Sequence, residues 1–533
     1  MIENVNIIKI DNGKLSYTNI NCYDDIKVVN IKEYLEIMRI ENLVNYCHNI
    51  KVECAELIPY LIKNGFKNNV KGRLKRKEFR KVESEDGSVF ELRFNYKGTN
   101  IKIYDSQKIL NFNIEDLKND FLHLKNIELQ DLTIVAKSLK IMFEKGYTKK
   151  TMSGNAYDIW KKGMFTENGE INQIKLNNII PKLDIKVDDF IRKSYKGGWT
   201  YLNRHYDKNK KSGFTFDVNS LYPYVMYTQL LPWGEPIEFY GKYKKDKEYP
   251  LYIQEVRFDY LSLKKKKVPC ANGKGIGQLI EQKFIENESN ITMCITNIDL
   301  ELIKKSYDYG KIEYFKGYKF RATKKLFTKY IDYFMKIKEN STGTERQIAK
   351  LFLNSLYGKF ASKVKRPIYE TKLDEDGVEV RDIVGYDKNG QMYYTPLSCF
   401  ISSYARTITI NAANKNYKYF IYADTDSIHL NCKKISKVKG IKIHDKKLGC
   451  WKLEKVFSDS VFIGSKCYGE YDENGWEFKV AGLPKSACDK IKDKSQFYSG
   501  SEIQCKVRVK SVNGTEMIDR KFVIGANVIG EIY

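Results

Sequence analysis

Asp424 and Asp426 stand two residues apart in Lys418-Tyr-Phe-Ile-Tyr-Ala-Asp-Thr-Asp-Ser-Ile-His-Leu430, between two runs of strand-forming residues. The pattern predicts a β-hairpin with an acidic and hydroxyl tip. On extended backbone both carboxylates are expected on one face. Adjacent like charges raise each other's pKa unless a cation neutralises them. In a chain of formal charge +25, such a pair suits a divalent-metal site facing a polyanion. Asp and Ser are also ordinary turn residues, and this stretch alone supports the turn and the metal site equally.

Other chemistry-bearing residues need elements to carry them. Gly213–Val218 reads as a strand that delivers Asp217 at its end. The chain then turns into a helix, with Ser220 as the expected cap and the Val218 carbonyl available as a ligand. Thr344 to Phe360 reads as one helix: Lys350, Asn354, Tyr357 and Gly358 share one side, Ile348, Ala349, Phe352, Leu353, Leu356 and Phe360 the other. A solvated face explains that side, but it also offers a cation for a phosphate and a ring beside a glycine where a base could stack. Leu397 to Ala413 is helical and carries Arg406. Lys466 and Tyr468, two apart, are expected on one face of a strand. In Tyr195-Lys-Gly-Gly-Trp199, Gly197 and Gly198 permit close backbone approach to a ligand strand, and a plain turn explains them equally well.

The whole chain sets the bounds. Its 533 residues are too many for one core and predict several domains. Lys and Arg number 92 against 67 Asp and Glu, an imbalance that favours a nucleic acid or another polyanion as partner. No basic amphipathic anchor, signal peptide or run of about 18 apolar residues points to a membrane. The 11 cysteines form no CxxC pair and read as reduced thiols of a cytoplasmic protein.

The first third mixes strands and helices and predicts an α/β domain. It starts with a hairpin around Asp11-Asn12-Gly13-Lys14, continues with a helical period from Ile31 to about Tyr46, and has further helices at Ala55–Gly65 and Asp131–Gly146. A Tyr- and Lys-rich segment from Leu231 to Lys325, with Lys264 to Lys267 in it, reads as an insertion. So does the polar, hairpin-like stretch from Lys363 to Met392, which includes Asp376-Gly377.

Asp217-Val-Asn-Ser-Leu-Tyr-Pro, Lys350-Leu-Phe-Leu-Asn-Ser-Leu-Tyr-Gly and Tyr422-Ala-Asp-Thr-Asp-Ser resemble the three polymerase motifs of family B DNA polymerases, in the family's order, with Lys466-Cys-Tyr468 behind them. Two insertions at the expected places, with Leu231-Pro-Trp-Gly-Glu-Pro and Tyr195-Lys-Gly-Gly, make the chain similar to the protein-primed branch. The resemblance implies an α+β multidomain right hand of palm with antiparallel sheet, fingers and thumb, after an N-terminal ribonuclease H-like 3′–5′ exonuclease-type domain. The implied boundaries are 1–151 for the exonuclease-like domain, 152–229 for the first palm part and 230–325 for the first insertion. Fingers follow at 326–361, the second insertion at 362–394, the second palm part at 395–480 and the thumb at 481–533.

The resemblance also implies roles. Asp217 and Asp426, with Val218, would hold two Mg²⁺ ions, replaceable by Mn²⁺, with Asp424 in the same cluster. Tyr222, Lys350, Asn354, Tyr357 and Gly358 would form the nucleotide pocket, Tyr222 as steric gate against ribose. Arg406, Lys466 and Tyr468 would grip primer-template backbone, while Tyr195, Gly197 and Gly198 guide single-stranded template. The first insertion would contact a terminal protein that supplies the priming hydroxyl; the second would give processivity and strand displacement. The expected protein is a monomer that takes DNA and dNTPs in the host cytoplasm.

The N-terminal third departs from the family. An Asp-x-Glu pair on the first strand is missing, so that strand is expected upstream of Met1 or lost. His48-Asn49-Ile-Lys-Val-Glu53 has Glu53 where the family has Asp, and Asp131 is present but Ile127 stands where the family has Tyr. Impaired proofreading is therefore expected, with His48, Asn49, Glu53 and Asp131 as remnants. A catalytically inactive nucleic-acid-binding relic is the alternative. Asp217, Asp424 and Asp426, three carboxylates that would repel DNA phosphates, speak against it.

Overall fold

The computed structural model describes residues 4–524 apart from positions 12, 42, 70–71, 84–88, 209–211, 273–283, 364–365, 374–378, 388–389, 391–392, 482, 484 and 512–513. The first hairpin joins Val5–Asp11 to Lys14–Asn19, with Asp11 opposite Lys14 and Gly13 at φ 75°. A two-residue loop of this kind needs positive φ, which glycine supplies without strain. Val44–Cys47 pairs in parallel with Val5–Asp11 on one edge and with Thr99–Asp105 on the other, inside an eight-stranded sheet.

The helical period predicts a helix through Tyr46, but the helix ends at Glu41. Val44–Cys47 is instead a central strand with neighbours on both edges, and Asn45, Tyr46 and Cys47 are all buried. Such strands lack the in-and-out alternation that distinguishes strand from helix. Helices Ile31–Glu41 and Ile50–Lys63 share a core with Ile8 and Ile10, while helix Asp131–Glu144 packs with Val5 and Ile7. Alternation along the first strand therefore turns Lys9 towards Asp131.

A second, five-stranded antiparallel sheet runs in the order Thr200–Leu202, Phe420–Asp424, Ser427–Leu430, Gly213–Val218, Trp451–Phe457. Helix Thr395–Lys415 lies against it and buries Leu397, Phe400, Ile401, Ala405, Ile410 and Ala413. Helix Gly343–Lys359 buries the apolar side expected of it, with Phe352 stacked on Phe334 of helix Thr328–Asn340 at 4.6 Å between centroids.

Leu231–Tyr240, Leu251–Leu263, Asn287–Thr296, Tyr307–Tyr309 and Ile312–Thr323 form a sheet of their own, covered by helix Asn297–Ser306. Arg366–Leu373 and Glu379–Asp387 pair as a hairpin, and Asp376-Gly377 lies outside the described residues. A three-stranded sheet, Asp459–Gly464, Cys467–Asp472 and Gly475–Val480, shares a core with Ala487, Ile491, Phe497 and Ile503. A long hairpin, Glu502–Ser511 with Gly514–Val523, ends the described chain. No helix among the described residues is long and apolar enough to cross a membrane.

Candidate active site

Asp217 sits opposite Ser427, so the end of its strand meets the tip of the Asp424–Asp426 hairpin. The tip is not extended. Thr425 has φ 59°, and the Asp426 amide donates to the Asp424 carbonyl at 2.7 Å. Strand alternation, which requires extended backbone at the intervening residue, therefore does not set the directions of the two carboxylates. Asp424 instead accepts from Thr200 Oγ1 at 3.0 Å and lies 3.7 Å from Lys466 Nζ. Asp426 is the carboxylate whose charge acts on Asp217.

The turn is held from three sides. Thr425 donates its amide to the Trp199 carbonyl at 2.9 Å, and its own carbonyl accepts from Thr409 Oγ1 at 2.7 Å. Gly198 lies so close that a Cβ there would be 2.4 Å from Thr425 Oγ1. The glycine permits a close approach, as its sequence context predicts, but to the acidic turn. Val218 follows Asp217 and donates its amide to the Asp426 carbonyl at 2.9 Å.

Burial, then the charges of Asp426 and Glu454, push the Asp217 carboxyl up to about 8, against the pull of Lys452. Burial, then Asp424, raises Asp426 to about 6. Lys452 is itself paired with Glu454 at 2.9 Å. Among the described residues, Asp217 and Asp426 have no ion-pair partner, whereas Asp424 has Lys466. Two desolvated carboxylates without a protein counter-ion are a donor set that fits divalent metal. No trio of ligating side chains converges among the described residues, so the pair and the adjacent Val218 carbonyl are the available set.

Tyr222 stacks on Tyr357 at 3.7 Å between centroids and 14° between planes, joining helix Leu221–Thr228 to helix Gly343–Lys359. Lys350, Asn354 and Gly358 lie on the exposed side of the latter helix. Ser220 is at the cap position with φ 56° but makes no capping bond; its hydroxyl accepts from Lys338 Nζ at 2.9 Å. Lys338 and Arg346 were missed by motif reading. Arg346 donates to the Lys338 carbonyl, and burial, then the charges of Arg346 and Lys350, lower the Lys338 pKa. The signal available was helical spacing: Arg346 and Lys350 are four apart, on one face.

Arg406 does not fit the expected role on DNA. Its side chain is 6% exposed; one nitrogen donates to both oxygens of Asp299 at 2.9 Å, another to the carbonyls of Lys196 and Gly197 at 2.7 and 3.0 Å. It fixes the Tyr195–Gly198 loop from behind, where Tyr195 is half-buried and Gly197 exposed. Lys466 is not on a strand face with Tyr468 either: it occupies the turn before Cys467–Asp472 at φ 56°. Both still line one cleft of about 750 Å³, with Asp424, Lys479, Ile491 and Lys492.

His48, Asn49, Glu53 and Asp131 converge on a pocket of about 270 Å³. Val5–Asp11 borders this pocket: both of its edges are paired, and it presents Lys9. Lys9 Nζ is 2.7 Å from Asp131, and Glu53 accepts from the Ile10 amide at 2.5 Å. His48 is bound to Ser106 Oγ and the Phe112 carbonyl, both at 2.8 Å, and Asn49 has φ 73°. A carboxylate held by an ammonium and another bonded to a backbone amide do not fit a metal pair.

Residues 129–441 match the family described as DNA polymerase type B, organellar and viral. The chain is 34% identical to the DNA polymerase of Bacillus phage phi29, covering 95% of each chain. It is also 34% identical to that of Bacillus phage M2, over 85% of this chain and 82% of the other. This chain belongs to the organellar and viral type B DNA polymerases. Phi29 DNA polymerase complexed with primer-template DNA superimposes on this polymerase with a TM-score of 0.85 at 29% identity, over 98% and 99% of the two chains. The ternary complex with incoming nucleotide gives 0.84 at 30% identity, again over 98% and 99%.

Proposed function

We propose that this DNA polymerase replicates a phage or linear-element genome by two-metal nucleotidyl transfer, with a protein primer and with strand displacement. The observation that carries the mechanism is the Asp217–Asp426 pair, half-buried and without an ion-pair partner among the described residues, with cations at Lys338, Arg346 and Lys350 on the neighbouring helices. Asp217, Asp426 and the Val218 carbonyl would hold two Mg²⁺, which when bound activate the primer hydroxyl and stabilise the leaving pyrophosphate. The three cations meet the triphosphate. Tyr222, Tyr357, Asn354 and Gly358 bound the nascent base pair, with the Tyr222 ring closing the space for a ribose 2′-hydroxyl. Lys466 and Tyr468 hold the primer strand, and the Tyr195–Gly198 loop guides the template.

A terminal protein docks on the 230–325 insertion and the 362–394 insertion helps encircle DNA; the likeness to phi29 DNA polymerase complexed with primer-template DNA supports the DNA partner. The working unit is a monomer in the host cytoplasm. The N-terminal domain acts as a scaffold, with proofreading lost at the Lys9–Asp131 pocket. One experiment tests the reading: the chain is incubated with the small proteins encoded beside it, Mg²⁺ and labelled dATP. A covalently labelled protein is expected with wild type and none with Asp426→Ala. Labelling by the variant would refute the metal assignment; extension of DNA primers with no labelled protein would refute protein priming.

A further inference from the structure

One buried carboxylate joins the three strands that carry the site. Glu470, in Cys467–Asp472, accepts from Thr215 Oγ1 at 2.9 Å and lies 2.7 Å from His429 Nδ1. Thr215 and His429 are themselves 3.1 Å apart. Thr215 shares a strand with Asp217, His429 lies on the return strand of the acidic hairpin, and Glu470 follows Lys466 and Tyr468. All three are buried. Tyr422, Phe462 and Tyr468 enclose the imidazole at 5.2, 5.5 and 5.0 Å between centroids, and the Tyr422 hydroxyl accepts from the Lys466 amide at 2.8 Å.

Among the described residues, the three-stranded sheet makes no ladder with the catalytic sheet. Apolar contact between two sheets is non-directional and leaves them free to slide. Hydrogen bonds converging on one carboxylate remove that freedom. An imidazole and a carboxylate buried together cost more than an apolar pair of similar volume, so a stability role alone does not explain them. We propose that Glu470, His429 and Thr215 are positioning residues that hold the primer grip at Lys466 and Tyr468 in register with Asp217 and Asp426. The proposal rests on the assignment of Lys466 made under the proposed function.

The test is single-turnover incorporation at saturating primer-template by a Thr215→Val, His429→Leu, Glu470→Leu variant. Replacing all partners together avoids stranding a buried polar group, so the fold is expected to survive with little change in Tm. Primer-template Kd should change less than about threefold, while the rate falls about 100-fold, the effect of a reactive end misplaced by roughly an ångström. Glu470→Gln keeps an acceptor and should stay within about threefold of wild type. Combined with Lys466→Ala, the triple variant should lose less than the product of the separate losses, because both act on one grip. A wild-type rate in the triple variant, losses that simply multiply, or a rate loss that follows falling Tm would each overturn the proposal. An unchanged Lys466→Ala would instead overturn the assignment of Lys466.

Discussion

Asp217 lies near the end of a strand and Asp131 opens a helix, and their neighbours separate their electrostatics. Asp131 has an ammonium at 2.7 Å; Asp217 has another half-buried carboxylate and no ion-pair partner among the described residues. A carboxyl whose pKa rises on folding binds its proton more tightly in the folded state. Without metal, stability should therefore fall as pH rises from the unfolded carboxylate range, about 4, towards about 8. Asp217→Asn removes that contribution. In EDTA, the Tm difference between wild type and variant should move steadily in the variant's favour from about pH 5 to about pH 8. Mg²⁺ should reverse the trend in wild type only. A difference that stays constant across this range would refute the repulsion.

At the scale of elements, the acidic turn depends on a loop two hundred residues upstream. A Cβ on Gly198 would overlap the Thr425 side chain, and Thr425, at positive φ, is the residue between Asp424 and Asp426. Gly198→Ala is expected to lower the incorporation rate about tenfold or more while leaving primer-template Kd nearly unchanged. A wild-type rate at saturating DNA would show that the contact does not set the turn. Sequence made the helices and the Asp217 strand legible, because their apolar spacing is local. It could not show that Thr425 reverses the backbone, that Lys466 sits in a turn, or that Arg406 is spent on Asp299 and two carbonyls. Each of those depends on partners far along the chain. Val44–Cys47 was hidden for a different reason: burial on both faces removed its periodicity.

Across the whole molecule, two carboxylate pairs sit in opposite electrostatic surroundings. Lys9 supplies a positive charge at the half-exposed mouth of the N-terminal pocket, and Glu53 is tied to the backbone of the same strand. Divalent metal would have to displace an ammonium and break a buried hydrogen bond, whereas at Asp217 and Asp426 it would relieve repulsion. Metal titration should thus find sites that vanish together in Asp217→Ala, Asp426→Ala. Mn²⁺ binding followed by electron paramagnetic resonance reads this directly, because free and bound ions give distinct signals. Binding that persists in the double variant and is lost in Asp131→Ala would place metal in the N-terminal pocket. On labelled single-stranded primer without nucleotides, the wild-type chain should cause no Mg²⁺-dependent shortening. Degradation that survives the double variant would show that a working nuclease remains despite Lys9, and the domain would then be more than a scaffold.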